Sequence, residues 1–176
     1  MRSNKGVGHL TEQDTIARLQ AALPDCGVQP VEGTKDPTFL VAAAGLVAAA
    51  TWLRDQAGYD YLSSVTGVDR GQQFEVVYHL YSMARGGGPL VLKVTGPWEE
   101  PTVPSVVGVW PAAEFQEREI YDLLGITFSG HPDLRRILLW DGFPGHPLRK
   151  TFENRPVPHA EMLATMSGEE VPHAED

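Results

Sequence analysis

The chain has 176 residues, 42% of them hydrophobic, enough apolar material for one globular domain with a single core. A formal net charge of −9 argues against general nucleic-acid binding, which needs a clustered basic face. Cys26 is the only cysteine, which excludes an internal disulfide and the four-thiolate set that an iron–sulfur cluster normally takes from one chain.

Residues 1–10 read as an N-terminal tail. Arg2 and Lys5 have no apolar stretch behind them, so no secretory signal is expected and a cytoplasmic location is preferred. Thr11 followed by Asp14 makes a capping-box-like start, and Ile16, Leu19 and Leu23 recur at helical spacing before Pro24, predicting a first helix. Val28 to Val31 and Thr38 to Val41 are β-prone pieces around a Gly33 to Pro37 turn and suggest a hairpin. The longest apolar run, Phe39 to Leu53, is broken by Gly45 and Thr51 and falls short of the about 20 residues that cross a bilayer. Within it Leu46, Ala50 and Leu53 lie on one stripe, with Gly58 placed as a C-terminal cap, predicting a second helix.

Tyr59 to Val68, Phe74 to Ser82 and Pro89 to Thr95 are rich in aromatic and β-branched residues and predict an antiparallel meander. The Gly86 to Gly88 run between two of these strands reads as a hairpin tip. A phosphate cradle needs a different context, and neither a G-x-G-x-x-G nor a P-loop occurs. After Pro101 and Pro104, Pro111 stands where a third helix can begin. Ala113, Gln116, Ile120, Leu123 and Leu124 form its packing stripe, Gly125 ends it, and Glu114, Arg118 and Asp122 fall at i, i+4, i+8, as a charged ladder would. Segregated helices and strands predict an α+β fold, a mainly antiparallel sheet with helices packed on one face, over residues 11–130.

From Ile126 to Arg155, His131-Pro132, Phe143-Pro144 and His146-Pro147 exclude a long regular element. An extended C-terminal arm over 131–155 is expected, ordered by the surface on which it lies. It is basic within an acidic chain: Arg135, Arg136, Arg149, Lys150 and Arg155 stand against Asp133, Asp141 and Glu153. Residues 156–176 hold five acids and no Lys or Arg and read as an acidic, disordered tail.

No reaction centre emerges. His131, Asp133 and His146, with Glu117, Glu119 and Asp141 nearby, could be assembled into a metal-dependent hydrolase site, but the intervals match no recognised ligand spacing. Glu117 and Glu119, two apart on a helix, face different directions and read as salt-bridged helix surface. Cys26 has no basic neighbour in sequence to activate it. The mixture of Arg, His, aromatic and Pro residues on the arm is instead what protein interfaces favour.

The segment 117–138, EREIYDLLGITFSGHPDLRRIL, resembles the signature of the thirty-kilodalton (C-type) subunit family of proton-pumping NADH:quinone oxidoreductase, respiratory complex I. Glu117, Arg118, Glu119, Tyr121, Asp122, Gly125, Gly130, His131, Pro132, Leu134 and Arg136 carry the match. Residues 74–82, 109–113 and 145–150 also look like the family's strand, pre-helix and closing segments, while Thr151 stands where an acidic residue is usual. The resemblance implies a non-redox structural subunit of the hydrophilic arm, with no cofactor of its own. It would sit peripherally on the cytoplasmic face of the cell membrane, against the forty-nine-kilodalton (D-type) subunit near the quinone site, with the cluster-bearing B-type and I-type subunits as further neighbours. Arg135, Arg136, His146, Arg149 and Lys150 are the expected partner anchors. The equivalent subunit of a membrane-bound hydrogenase-type complex shares the signature.

Overall fold

The computed structural model of the chain describes residues 11–84, 86, 89–154 and 162–163; the expected tails at 1–10 and, apart from two residues, 156–176 lie outside this range. Helix α1 (Glu12–Ala22) starts at Thr11, whose hydroxyl accepts from the Asp14 N–H at 3.1 Å while the Asp14 carboxylate accepts from the Thr11 N–H at 3.1 Å. This reciprocal cap satisfies two donors that the first turn leaves free, and such a cap is worth about 1 kcal/mol. Strands β1 (Gln29–Pro30) and β2 (Thr38–Leu40) pair antiparallel, as the hairpin reading expects. Helix α2 (Leu46–Ala57) buries Leu46, Ala49, Ala50, Leu53 and Ala57 and ends on Gly58 in the left-handed conformation.

Strands β3 (Tyr61–Asp69), β4 (Gln73–Tyr81) and β5 (Leu90–Pro97) form the expected antiparallel meander. They join the first hairpin in one sheet of order β1-β2-β5-β4-β3. The junction β2–β5 is parallel, with Phe39 opposite Leu92, so the sheet is mainly but not wholly antiparallel. Its core-facing residues Phe39, Val65, Phe74, Val76, Tyr78, Leu80, Leu92 and Val94 pack with Ile16 and Leu19 of α1 and the apolar stripe of α2 in one cluster. Among the described residues no helix is long and apolar enough to cross a membrane.

A smaller unit follows. Strand β6 (Thr102–Pro104), helix α3 (Ala113–Leu124) and strand β7 (Thr127–Ser129) make a compact β-α-β turn in which β6 and β7 pair parallel, a feature that the sequence pattern does not predict. Helix α3 lies on β3: a Cβ at Gly67 would come within 2.6 Å of Leu124 and 2.8 Å of Ile120, so glycine lets helix and strand meet. The Gln116 carboxamide accepts from the Val65 N–H at 2.6 Å, covering part of the exposed edge of β3. The arm, residues 131–154, then doubles back across the C-terminal half of α3 without helix or strand.

Candidate functional site

The arm is held by buried charge on α3. Arg118 and Asp122 stand one turn apart, 5% and 0% exposed. Arg118 donates from Nε to the Arg135 carbonyl and from Nη2 to the Arg136 carbonyl, each at 3.2 Å. Asp122 Oδ2 accepts from the successive N–H groups of Ile137, Leu138 and Leu139 at 3.0, 2.8 and 2.9 Å, while Oδ1 accepts from Arg136 Nη1 at 3.0 Å. Two side chains thus bind the carbonyls and amides of one pentapeptide. Burial pushes the Asp122 carboxyl up, but the N–H groups of Leu139, Leu138 and Ile137 and the Arg136 cation outweigh it and hold the carboxyl below the ordinary aspartate range. Arg136 reaches onward to the Phe143 carbonyl at 3.2 Å and the Gly145 carbonyl at 3.3 Å. The expected Glu114–Arg118–Asp122 ladder is therefore not formed, because Arg118 and Asp122 take their partners from the arm.

The closing segment caps the helix. The last carbonyls of any helix lack intrahelical donors and carry the negative end of its dipole. Here His146 Nδ1 donates to the Asp122 carbonyl at 2.9 Å, the Leu148 N–H to that of Leu123 at 3.0 Å, Arg149 Nε to that of Leu124 at 2.6 Å and Arg149 Nη2 to that of Gly125 at 3.2 Å. The Arg149 guanidinium also lies 4.6 Å from the centre of the Trp98 ring. Gly125 has φ +70°, and a Cβ there would come within 2.5 Å of His146 and 2.7 Å of Arg149, so both handedness and space demand glycine. One residue on, the Lys150 N–H donates to Asp69 Oδ2 at 2.8 Å, fastening the arm to the β3–β4 turn.

Of the five expected partner anchors, Arg136, His146 and Arg149 turn inward onto their own helix and arm. Their spacing to α3 partners, from 14 to 25 residues, is not visible to local pattern reading. Arg135 remains exposed, paired at 2.8 Å with Asp133, and Lys150 is exposed. Glu119 and Pro132 are exposed, Tyr121 meets the His146 ring edge-on at 6.4 Å, Leu134 packs against the core, and Gly130 turns the chain after β7 with φ +81°.

Glu117 corrects the salt-bridged-surface reading. It has no exposed surface; its carboxylate accepts from Ser105 Oγ at 2.6 Å and from the Val106 N–H at 2.8 Å. Burial raises its pKa above the ordinary glutamate value against those two hydrogen bonds, and its charge in turn adds to the burial that raises the Tyr78 hydroxyl. Tyr78 Oη has no hydrogen-bond partner among the described residues.

The metal-hydrolase constellation is not assembled. His131 Nδ1 accepts from the Asp133 N–H at 3.0 Å, which leaves Nε2 to donate to the Glu114 carbonyl at 3.1 Å, so both ring nitrogens are engaged. Asp133 is held by Arg135, and His146 faces the α3 terminus. Among the described residues no three His, Cys, Asp or Glu side chains converge as metal ligands. Beyond the clamp, Trp140, Phe143 and Phe152 pack successively, with ring centres 4.6 and 5.9 Å apart, and line an open recess of about 790 Å³.

Residues 39–157 match the model of the family described as respiratory-chain NADH dehydrogenase, 30 Kd subunit. The NADH-quinone oxidoreductase C subunit of Moorella thermoacetica is 45% identical over 139 residues, covering 78% of this chain and 92% of that protein. Its counterpart of the same name in Paramagnetospirillum magneticum is 50% identical over 144 residues, 76% of this chain and 69% of its own length. The structure of a trypsin-resistant fragment (1–134) of Nqo5 superposes with a TM-score of 0.57 at 29% identity, covering 70% of this chain and all of the fragment. A chain of the archaeal membrane-bound sulfane sulfur reductase, at 21% identity and a TM-score of 0.66, shares the fold over 93% of this chain and 95% of its own.

Proposed function

Because the chain belongs to the respiratory-chain NADH dehydrogenase 30 Kd subunit family, we propose that it acts as a structural subunit of NADH-quinone oxidoreductase, without redox group or reaction centre of its own. The observation that carries this reading is the use of the polar side chains in the family signature and its closing segment. Arg118, Asp122, Arg136, His146 and Arg149 are committed to backbone groups of the same chain, where they fix the shape of the arm rather than present a reactive atom. The single thiol, Cys26, is buried and raised by desolvation and by the nearby Asp25, the opposite of an activated or metal-binding cysteine. In this reading the arm docks on the forty-nine-kilodalton (D-type) subunit beside the quinone site, with the B-type and I-type subunits adjacent, at the cytoplasmic face of the membrane. Identities of 45% and 50% to proteins of NADH-quinone oxidoreductases favour that complex over a hydrogenase-type relative.

The test separates assembly from turnover. Arg135→Ala with Arg136→Ala removes one exposed cation and one member of the Asp122 clamp. It is expected to lower the amount of assembled complex on native gels, while NADH:quinone turnover normalised to that amount stays near normal. Full assembly with turnover reduced tenfold, on the order of 1.4 kcal/mol of transition-state stabilisation, would overturn the structural role.

A further inference from the structure

Ile137 and Leu138 are 37% and 61% exposed, although the peptide that carries them is the most tightly fixed part of the arm. Three successive N–H groups on Asp122 and two carbonyls on Arg118 immobilise residues 135–139. Burying an aspartate and an arginine strips both of hydration, a cost that their partners must offset. In an isolated chain that arrangement leaves most of Leu138 and about a third of Ile137 in water, where that apolar surface gains nothing. It gains something when another surface covers them, because the ordering entropy of the ridge is already met before contact. The same peptide continues through Leu139 into Trp140, a wall of the aromatic recess, so ridge and recess adjoin.

We propose that the Ile137–Leu138 ridge is a docking element for another subunit of the complex, which receives it in an apolar recess bordered by carboxylates. This rests on the structural-subunit reading above and says which surface does the docking.

Charge selects the class of partner. Residues 131–154 carry Arg135, Arg136, Arg149 and Lys150 against Asp133, Asp141 and Glu153, a net of +1 in a chain whose total is −9. Arg135, immediately before the clamped amides, has a side chain 69% exposed. A second copy would set the same cations against each other across a two-fold axis. A different protein with acidic residues around an apolar hollow complements both the aliphatic ridge and the exposed cation beside it.

The experiment uses cells in which the variant is the sole copy of this chain. Leu138→Glu is expected to reduce assembled complex tenfold or more, and Leu138→Met to leave it within twofold of wild type. The isolated Leu138→Glu chain should keep the wild-type melting temperature, since the site is exposed. Leu138→Cys provides a second measurement independent of folding: Cys26 is buried, so a benzophenone maleimide attaches at 138 and illumination of the complex is expected to link it to another subunit, identified by mass spectrometry. Wild-type assembly of Leu138→Glu, or a cross-link confined to this chain or to a second copy of it, overturns the proposal. If the tagged wild-type chain brings down no other subunit, the structural-subunit reading itself falls, and the ridge with it.

Discussion

Among the described residues Glu117 is a carboxyl with no ion pair, held by the Ser105 hydroxyl and the Val106 N–H. Its folded-state pKa is raised, so between the unfolded value near 4.5 and the folded value the native chain binds more protons than the unfolded one. Stability from this group is therefore present at low pH and lost as pH rises through that window. Glu117→Gln preserves an acceptor for Val106 and can donate to Ser105 while removing the charge. The difference in urea midpoint between wild type and variant is expected to move in the variant's favour from pH 4.5 to pH 8; a difference constant with pH would show that Glu117 does not titrate there. The residue lies on the family signature, yet its burial was not legible in the sequence. Its two partners come from a loop 11 and 12 residues earlier, and helical periodicity cannot say that a glutamate faces such a loop. The same reading of Glu119, two residues on, as helix surface agrees with its exposure.

At the scale of elements, α3 and the arm are one unit, because the carbonyls of Asp122 to Gly125 are filled only when residues 146–149 are in place. Gly125→Ala tests this coupling. Forcing a Cβ into the left-handed region costs about 1–2 kcal/mol, and the methyl also displaces His146 and Arg149. We expect a lowered melting temperature together with faster trypsin cleavage after Arg149 and Lys150; a lower melting temperature with those bonds still protected would mean that the arm is held elsewhere. The helices and the three long strands were legible because their ends carry local chemistry: the Thr11–Asp14 box, Gly58, Gly125 and the turn between β3 and β4. The β6–β7 pair and the parallel β2–β5 junction were not, since strands of three residues have no periodicity and a parallel partner is chosen by the tertiary path.

Across the whole molecule, protection should follow this architecture. The amides of Val76 to Tyr78, in the buried centre of β4, should exchange near the global unfolding limit, and those of the half-exposed arm earlier. Within the arm, Ile137 to Leu139 are expected to outlast Asp141 and Gly142; equal rates along the arm would refute the clamp. That the chain carries a basic segment ordered by a surface was legible from its prolines and arginines, but not that the surface is its own helix. The arrangement also has a consequence in time. Arg149 follows Leu124 by 25 residues, so at about 5–20 residues per second the ribosome completes α3 roughly 1–5 s before it makes the side chain that closes it. The Asp122 clamp, closed by residues 136–139, and then the helix cap are among the last contacts of the described chain to become available. A nascent or truncated chain therefore has the sheet and the helix without the shaped arm, and the fully formed arm reports that translation has passed residue 149.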